Sequence, residues 1–299
     1  EVQHLQRFED ALNTLLKNSQ LDVYVTGSNA RFLSKDVVTT FRGRGDEVRV
    51  HPLSFAEYLS VQQPLPFAEQ HLNEYMRLGG LPQLVVMNSE QQKRQYLSQL
   101  FANTYLVDIK ERYAIRNDAD LEELIDVIAS SIGSLTNPTK IANSFASVKQ
   151  SQLSKDTIKR YLDYMQDAFM IEKAVRYDIK GRKYIDTPAK YYFEDLGLRN
   201  ARINFRQTEP THLMENLIYN ELRVKGYSID VGQVVANTRN ANGVSERKQL
   251  EVDFVCNKAD ERIYIQSAYA MPTPEKQEQE LKSLKLINDN FQKVVIAGG

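Results

Sequence analysis

The stretch Leu21–Tyr58, LDVYVTGSNARFLSKDVVTTFRGRGDEVRVHPLSFAEY, constrains the fold more than any other. Leu21–Val25 is a short apolar, β-branched run, and Thr26-Gly27-Ser28-Asn29 closes it. A run of that length bounded by turn residues predicts a buried strand. Ala30–Phe41 follows, with Phe32, Leu33, Val37 and Phe41 near helical spacing. Arg42-Gly43-Arg44-Gly45 breaks that helix, and Glu47–His51 predicts the next strand. Ser54 then N-caps another helix, with Glu57 three residues on as its capping-box partner. In open α/β sheets, ligands are met just past the carboxyl ends of strands. Ser28 and Asn29 fall there, where a phosphate or an attacking water would be met. The plainer alternative is a turn with an N-cap serine and two surface arginines, Arg42 and Arg44.

A length of 299 residues leaves room for two domains or three. With 42% hydrophobic and 26% charged residues the chain is globular in composition. Its net charge of −1 gives no global attraction for nucleic acid, so any such binding needs a local patch. Cys256 is the single cysteine; no intrachain disulfide can form, which fits a reducing, cytoplasmic compartment. No apolar run is long enough to span a bilayer, and no signal peptide is visible. Glu1 opens in mid-pattern and Val294–Gly299 closes on a strand, so the chain reads as part of a longer protein.

After a proline-containing connector, His71–Leu78 predicts a helix and Gly79-Gly80-Leu81-Pro82 a sharp break. Glu90–Tyr113 and Leu121–Ile132 carry amphipathic helix patterns. Pro138–Phe145 and Lys155–Ala168, the second N-capped by Ser154, are the next helices. Strands follow at Ile171–Tyr177 and Lys183–Asp186, around a Lys180-Gly181-Arg182 turn, and at Lys190–Phe193. Two helices and a hairpin make a winged helix-turn-helix pattern. Lys155, Lys159 and Arg160 lie on or beside the helix face opposite the core, and Lys180, Arg182 and Lys183 lie on the wing. Both placements suit phosphate contacts, although Asp156, Asp163 and Asp167 dilute the charge. DNA is therefore one candidate partner; domain packing or a protein contact is the other reading.

Thr211–Gly226 predicts a helix, Tyr227–Val235 a strand and Asn237–Gln249 a polar loop. Leu250–Cys256 and Ile263–Tyr269 predict a hairpin, with Cys256 opposite Ile263 and Asp253 opposite Gln266. Thr273–Asp289 predicts a helix and Gln292–Ala297 a last strand.

The ordered series TGSN, RGRG, PLSFAEY and GG-L-P resembles the C-terminal half of the ATPase domain in a family of bacterial and archaeal AAA-type P-loop ATPases. In that family the ATPase is followed by a domain of unknown function with a restriction-endonuclease-like fold. The resemblance implies a mixed α/β protein in three parts. Residues 1–78 would be the C-terminal part of the ATPase domain, 79–205 a helical and winged-helix domain, and 206–299 a truncated restriction-endonuclease-like domain. Glu1 would stand for the glutamate that orients water, Ser28 and Asn29 for the polar sensor, and Arg42 or Arg44 for an arginine finger. The chain contains no G-x-x-x-x-G-K-[ST]. ATP and Mg2+ are thus expected for a full-length parent, and neither for this chain alone.

The nuclease-like fold uses a helix Glu, a strand Asp and a Glu-x-Lys to hold magnesium and position water. Glu215 and Asp253 take the first two places, as a degenerate and weak metal pair. The third reads Gln266-Ser267-Ala268, which lacks both the charge and the cation. The expectation is a fold without cleavage, with Gln266 beside Asp253 and Ala268 pointing the same way. Glu251 shares Asp253's strand face and is expected at a solvent-facing edge. The first functional reading is part of an ATPase that couples hydrolysis to a winged-helix and nuclease-like module, with a homo-oligomer or protein partner and no membrane. The alternative is a DNA- or protein-binding module with a non-cutting nuclease fold.

Overall fold

A computed structural model describes residues 7–26, 46–61, 69–115, 118–149, 153–207, 209–239 and 245–298. The Ala30–Phe41 helix and the RGRG break lie outside them. The first helix, α1 (Phe8–Leu15), buries Phe8 and Leu12 against Val23 and Val25. The strands expected at Leu21–Val25 and Glu47–His51 do not form among the described residues. A strand needs a neighbouring backbone to satisfy its ladder, and among the described residues neither stretch is paired with one. Val48 and Val50 are 82% and 88% exposed.

Helix α2 (Phe55–Val61) starts as its capping box dictates. The Ser54 amide donates to Glu57 Oε2 at 2.8 Å, and the Glu57 amide to Ser54 Oγ at 3.3 Å. Then come α3 (Glu69–Leu78), α4 (Pro82–Val85) and α5 (Glu90–Leu100), which runs through a π-helical turn (Phe101–Leu106) into α6 (Val107–Arg112). Helices α7 (Asp118–Ser130), α8 (Pro138–Lys149) and α9 (Lys155–Asp167) complete the helical layer. Ser154 caps α9 by accepting from the Thr157 amide.

Strands β1 (Ile171–Asp178) and β2 (Lys183–Phe193) form the expected hairpin, although β2 runs unbroken through what the sequence reads as two strands. Helices α10 (Leu196–Arg202) and α11 (Pro210–Val224) lead into β3 (Ser228–Arg239), β4 (Ser245–Lys258), β5 (Glu261–Ala268), α12 (Pro274–Lys285) and β6 (Gln292–Ala297). All six strands belong to one mixed sheet in the order β2-β1-β3-β4-β5-β6. The hairpin is therefore not a free wing. β1 pairs parallel with β3, so the sheet runs on across residues 205 and 206. The polar stretch expected as a loop is largely strand, with Val235 through Arg239 paired to Gln249 through Ser245. Its side chains at 245–249 are exposed while the backbone ladder is complete, a combination that hydrophobic alternation does not reveal.

The sheet's two faces bury different clusters. Ile171, Val231, Phe254 and Ile265 pack toward α11 and the helical layer. Val234, Val252, Val255 and Tyr264 pack toward Leu284 of α12 and Ile287. The helical layer is locked to the sheet through Asp195, the N-cap of α10. Its carboxylate accepts from the Leu198 amide at 2.9 Å and the Gly80 amide at 2.7 Å. Gly79 has φ +79°, and a Cβ there would lie 2.3 Å from Asp195 Oδ1. The GG-L-P break is thus shaped to receive this buried side chain.

Candidate functional site

Helix α11 presents its polar residues to the end of β2. Asn216 pairs with both backbone groups of Phe193, accepting from its amide and donating to its carbonyl at 2.8 Å each. Asn220 Nδ2 donates to the carbonyls of Phe193 and Glu194. These bonds hold Glu215, one residue before Asn216, over β2. Lys190 and Tyr192 stand two apart on that strand and so share its face. Both reach the same oxygen: Lys190 Nζ lies 2.8 Å and Tyr192 Oη 2.7 Å from Glu215 Oε1. Lys190 also lies 2.6 Å from Glu251 Oε1 on β4.

Asp253 enters this cluster because of a bulge. The β3–β4 register shifts between Asp230↔Val255 and Gly232↔Val252. Val252 and Val255 consequently point to the α12 face together. A Cβ on Gly232 would lie 2.8 Å from Val252 Cβ and 2.9 Å from Val255 Cγ2. The residues between them, Asp253 and Phe254, both turn toward α11. Asp253 Oδ2 accepts from the Ser267 amide at 2.8 Å.

Glu215 and Asp253 are each 7% exposed and Lys190 is 3%. Burial pushes Asp253 up to about 7; the Glu215 charge adds to this, while Lys190 and the Ser267 amide oppose it. For Lys190, burial works against the charge, but the carboxylates of Glu215, Glu251 and Asp253 outweigh it and raise its pKa. The lysine is therefore an ammonium, fixed between carboxylates drawn from two elements. Burial and the same carboxylates hold the Tyr192 phenol well above its usual range.

A hard divalent ion needs several oxygens converging at about 2.0–2.6 Å. Here the convergence point holds Lys190 Nζ. Among the described residues no three Asp, Glu, His or Cys side chains are placed to hold an ion. The donor set does not fit a resident magnesium.

Two expectations need correction. Gln266 does not stand beside Asp253: it faces α12, where its amide meets Glu280 and Ser283 at 3.4 Å each. The bulge turns Asp253 to one face while simple alternation sends Gln266 to the other. Glu251 is not a solvent-facing edge residue either, because Lys190 draws it in. Lys190 is the site residue that the sequence reading missed. Its signal was a single cation inside an apolar strand end, Ala189-Lys190-Tyr191-Tyr192-Phe193.

Glu1, Ser28, Asn29, Arg42 and Arg44 lie outside the described residues. Lys155, Lys159 and Arg160 are exposed on α9, and Lys159 opens onto a groove shared with Lys173, Asp186 and Tyr191. Lys180, Arg182 and Lys183 are exposed at the β1–β2 turn, and the first two line a different groove. No described groove joins the two sets of cations.

A second ionic cluster ties the N-terminal segment to the sheet. Arg49 pairs with Glu172 of β1 and with Glu194, and Arg223 of α11 pairs with the same two carboxylates. Nearby, the Phe55 amide donates to Glu221 at 2.7 Å and the Leu53 amide to the Gly80 carbonyl at 2.8 Å.

Residues 1–59 match the family model described as "AAA domain", and residues 69–209 the model described as "Domain of unknown function (DUF8612)". An "Uncharacterized protein" of Haemophilus influenzae is 35% identical over 301 aligned positions, which cover all of this chain and 71% of that protein. The chain belongs to this protein's family. "Uncharacterized protein MJ1544" of Methanocaldococcus jannaschii is 27% identical over 98% of the chain and 66% of its own length. No solved structure matches. The chain thus joins an AAA-type N-terminal segment to a mixed α/β region. Among the described residues, no helix is long and apolar enough to cross a membrane.

Proposed function

We propose that this chain supplies part of an AAA-type ATPase whose sheet domain is a nuclease-like module that does not cut. In a polypeptide of the relatives' length, ATP and Mg2+ would be bound by the AAA portion. Glu1, Ser28 and Asn29 would orient water there, and one of Arg42 and Arg44 would stabilise the charge of phosphoryl transfer. The match of residues 1–59 to the AAA model supports the ATPase half of this reading. The sheet domain would receive the resulting movement through Arg49, whose guanidinium joins the AAA-matched segment to β1 and to Glu194.

Lys190 carries the non-cutting half. Hydrolysis of a phosphodiester in such a site needs metal-held water and a cation free to meet the phosphate. Lys190 is instead committed to Glu215 and Glu251. Glu215 and Asp253 would be what is left of a nuclease site, with the lysine between the carboxylates already engaged from within.

One experiment reads both halves: ATPase and DNA-cleavage assays on a polypeptide of the relatives' length, with magnesium or manganese. ATP hydrolysis should fall roughly 10³-fold in either Arg42→Ala or Arg44→Ala and little in the other. DNA should remain intact. Metal-dependent cleavage that disappears in Asp253→Ala would overturn the non-cutting assignment. Absence of ATP hydrolysis in the unaltered protein would overturn the ATPase assignment.

A further inference from the structure

The α12 face of the sheet, away from the carboxylate cluster, carries a groove of about 790 Å³. It lies where three chain reversals meet: the β1–β2 turn, the β4–β5 turn and the segment after α12 that leads into β6. Its lining combines two kinds of group. Lys180 and Arg182 stand at one wall, with exposed Lys183 beside them. None of these three takes part in an ion pair among the described residues. The acids nearby are otherwise engaged: Asp178 accepts from the Gly181 amide, Glu261 from Tyr227, and Asp289 from Tyr264 and Lys293, while buried Asp230 bonds with Tyr184. Asp260 alone is exposed at the β4–β5 turn without such a bond.

The second kind of group is aromatic. Arg262 lies over the rings of both Tyr177 and Phe291, at 5.5 Å from each centroid. Its Nε donates to Asn257 Oδ1 at 2.7 Å, and the guanidinium, which feels the charge of buried Asp230 but makes no salt bridge among the described residues, is held as a flat plane. Tyr184 is 65% exposed, with its ring 5.2 Å from Tyr177, and Phe291 is 43% exposed. Large aromatic faces left in water beside unpaired cations are costly unless something covers them.

We propose that this groove binds single-stranded nucleic acid. Flat aromatic and guanidinium surfaces stack bases without regard to sequence, and unpaired lysine and arginine side chains track a phosphate backbone. The site differs from a duplex-reading winged helix in its position. It uses the tip of the β1–β2 hairpin together with elements far along the chain, and it leaves the exposed face of α9 unused. The chain's net charge of −1 makes the local pairing of cations with rings the deciding feature. The assignment does not depend on whether the carboxylate cluster cuts, because that cluster lies on the opposite face.

The test is fluorescence anisotropy of the 299-residue chain with an end-labelled oligothymidylate, its duplex counterpart and ATP as competitors, at low and at moderate salt. Single strand should bind more tightly than duplex, and millimolar ATP should not displace it. The double variant Lys180→Glu with Arg182→Glu should weaken binding at least tenfold and flatten the salt slope by about 1.4 units, at roughly 0.7 per phosphate contact. Tyr184→Ala and Phe291→Ala should each weaken it about tenfold, as loss of one stacked base does. All these residues are exposed or partly so, and unchanged unfolding midpoints will show that the variants fold. No binding at low salt, or affinity unchanged in the charge-reversed variant, would overturn the proposal. Tighter binding of duplex that ignores Tyr184 and Phe291 would return the cations to a winged-helix role and overturn it equally. Displacement by ATP would mark a mononucleotide pocket and overturn it too.

Discussion

Asp253 and Lys190 set the chemistry of the buried cluster between them, and each has a distinct pH signature. A carboxyl with an ordinary value near 3.8 is pushed to about 7 at Asp253. The folded state therefore binds a proton over a range in which the unfolded chain has released it. Below about pH 4 the two states are equally protonated and the group contributes nothing. As pH rises from about 4 to 7 the folded state loses stability, and above about 7 it bears the full cost of a buried carboxylate. Lys190 acts the other way: with its pKa raised, its stabilising contribution persists until pH passes that raised value. Asp253→Asn keeps an acceptor for the Ser267 amide and removes the titrating group. The variant should gain stability over the wild type at pH 8 and match it near pH 4, measured by urea unfolding across that range. A constant offset between the two proteins at every pH would show that folding does not shift the Asp253 pKa. Asp253 and Glu215 were singled out in the sequence only through the resemblance, as the helix Glu and strand Asp of the nuclease-like order. The sequence did not make Lys190 legible as a site residue, because nothing local distinguishes a strand lysine that faces solvent from one that faces two carboxylates.

At the scale of elements, the bulge in β4 decides which groups meet. Had β4 alternated strictly, Asp253 would face α12 with Gln266, and it would not join Glu215 and Lys190. Gly232 is the residue that permits the bulge, because Val252 and Val255 both crowd the space where a Cβ would stand. Gly232→Ala should therefore cost about 1–3 kcal/mol, the range for overpacking a filled core. A loss below about 0.5 kcal/mol in denaturant unfolding would mean that the strands can part there without strain. Helix α10 makes a related point. Asp195, Arg199 and Asn200 look like site residues by type and burial. Asp195 is spent on amides at Gly80 and Leu198, Arg199 on the Ala129 carbonyl, and Asn200 on the carbonyls of Met76 and Arg77. They close helix ends and join layers, which is the other common use of a buried polar group.

On the scale of the whole molecule, Arg49 is the joint between the AAA-matched segment and the sheet domain. Glu194 is held below its usual range: burial opposes its charge, but His51, Arg223 and Arg49 outweigh that. It remains an anion able to grip both arginines. Arg49→Ala removes one grip and leaves Arg223 to satisfy Glu172 and Glu194, so the sheet domain keeps its own balance. The expected outcome is faster protease cleavage within residues 46–61, with the unfolding midpoint of the sheet domain nearly unchanged. Equal protection in variant and wild type would assign the docking to the Leu53–Gly80 and Phe55–Glu221 hydrogen bonds alone.

The sequence by itself determined what depends on near neighbours along the chain. The helices follow from 3.6-residue spacing, the starts of α2 and α9 from Ser54 and Ser154, and the β4–β5 register, with Cys256 opposite Ile263, from a short turn. Tertiary structure alone decided the parallel pairing of β1 with β3, the continuation of strands through polar residues at 237–239 and 245–249, and the meeting of Lys190 with Glu215 and Glu251. The physical reason is the same in each case. Periodicity reports which face of an element is buried, but a backbone ladder accepts any side chain. A buried charge is stable only beside partners that the fold brings from elsewhere in the chain.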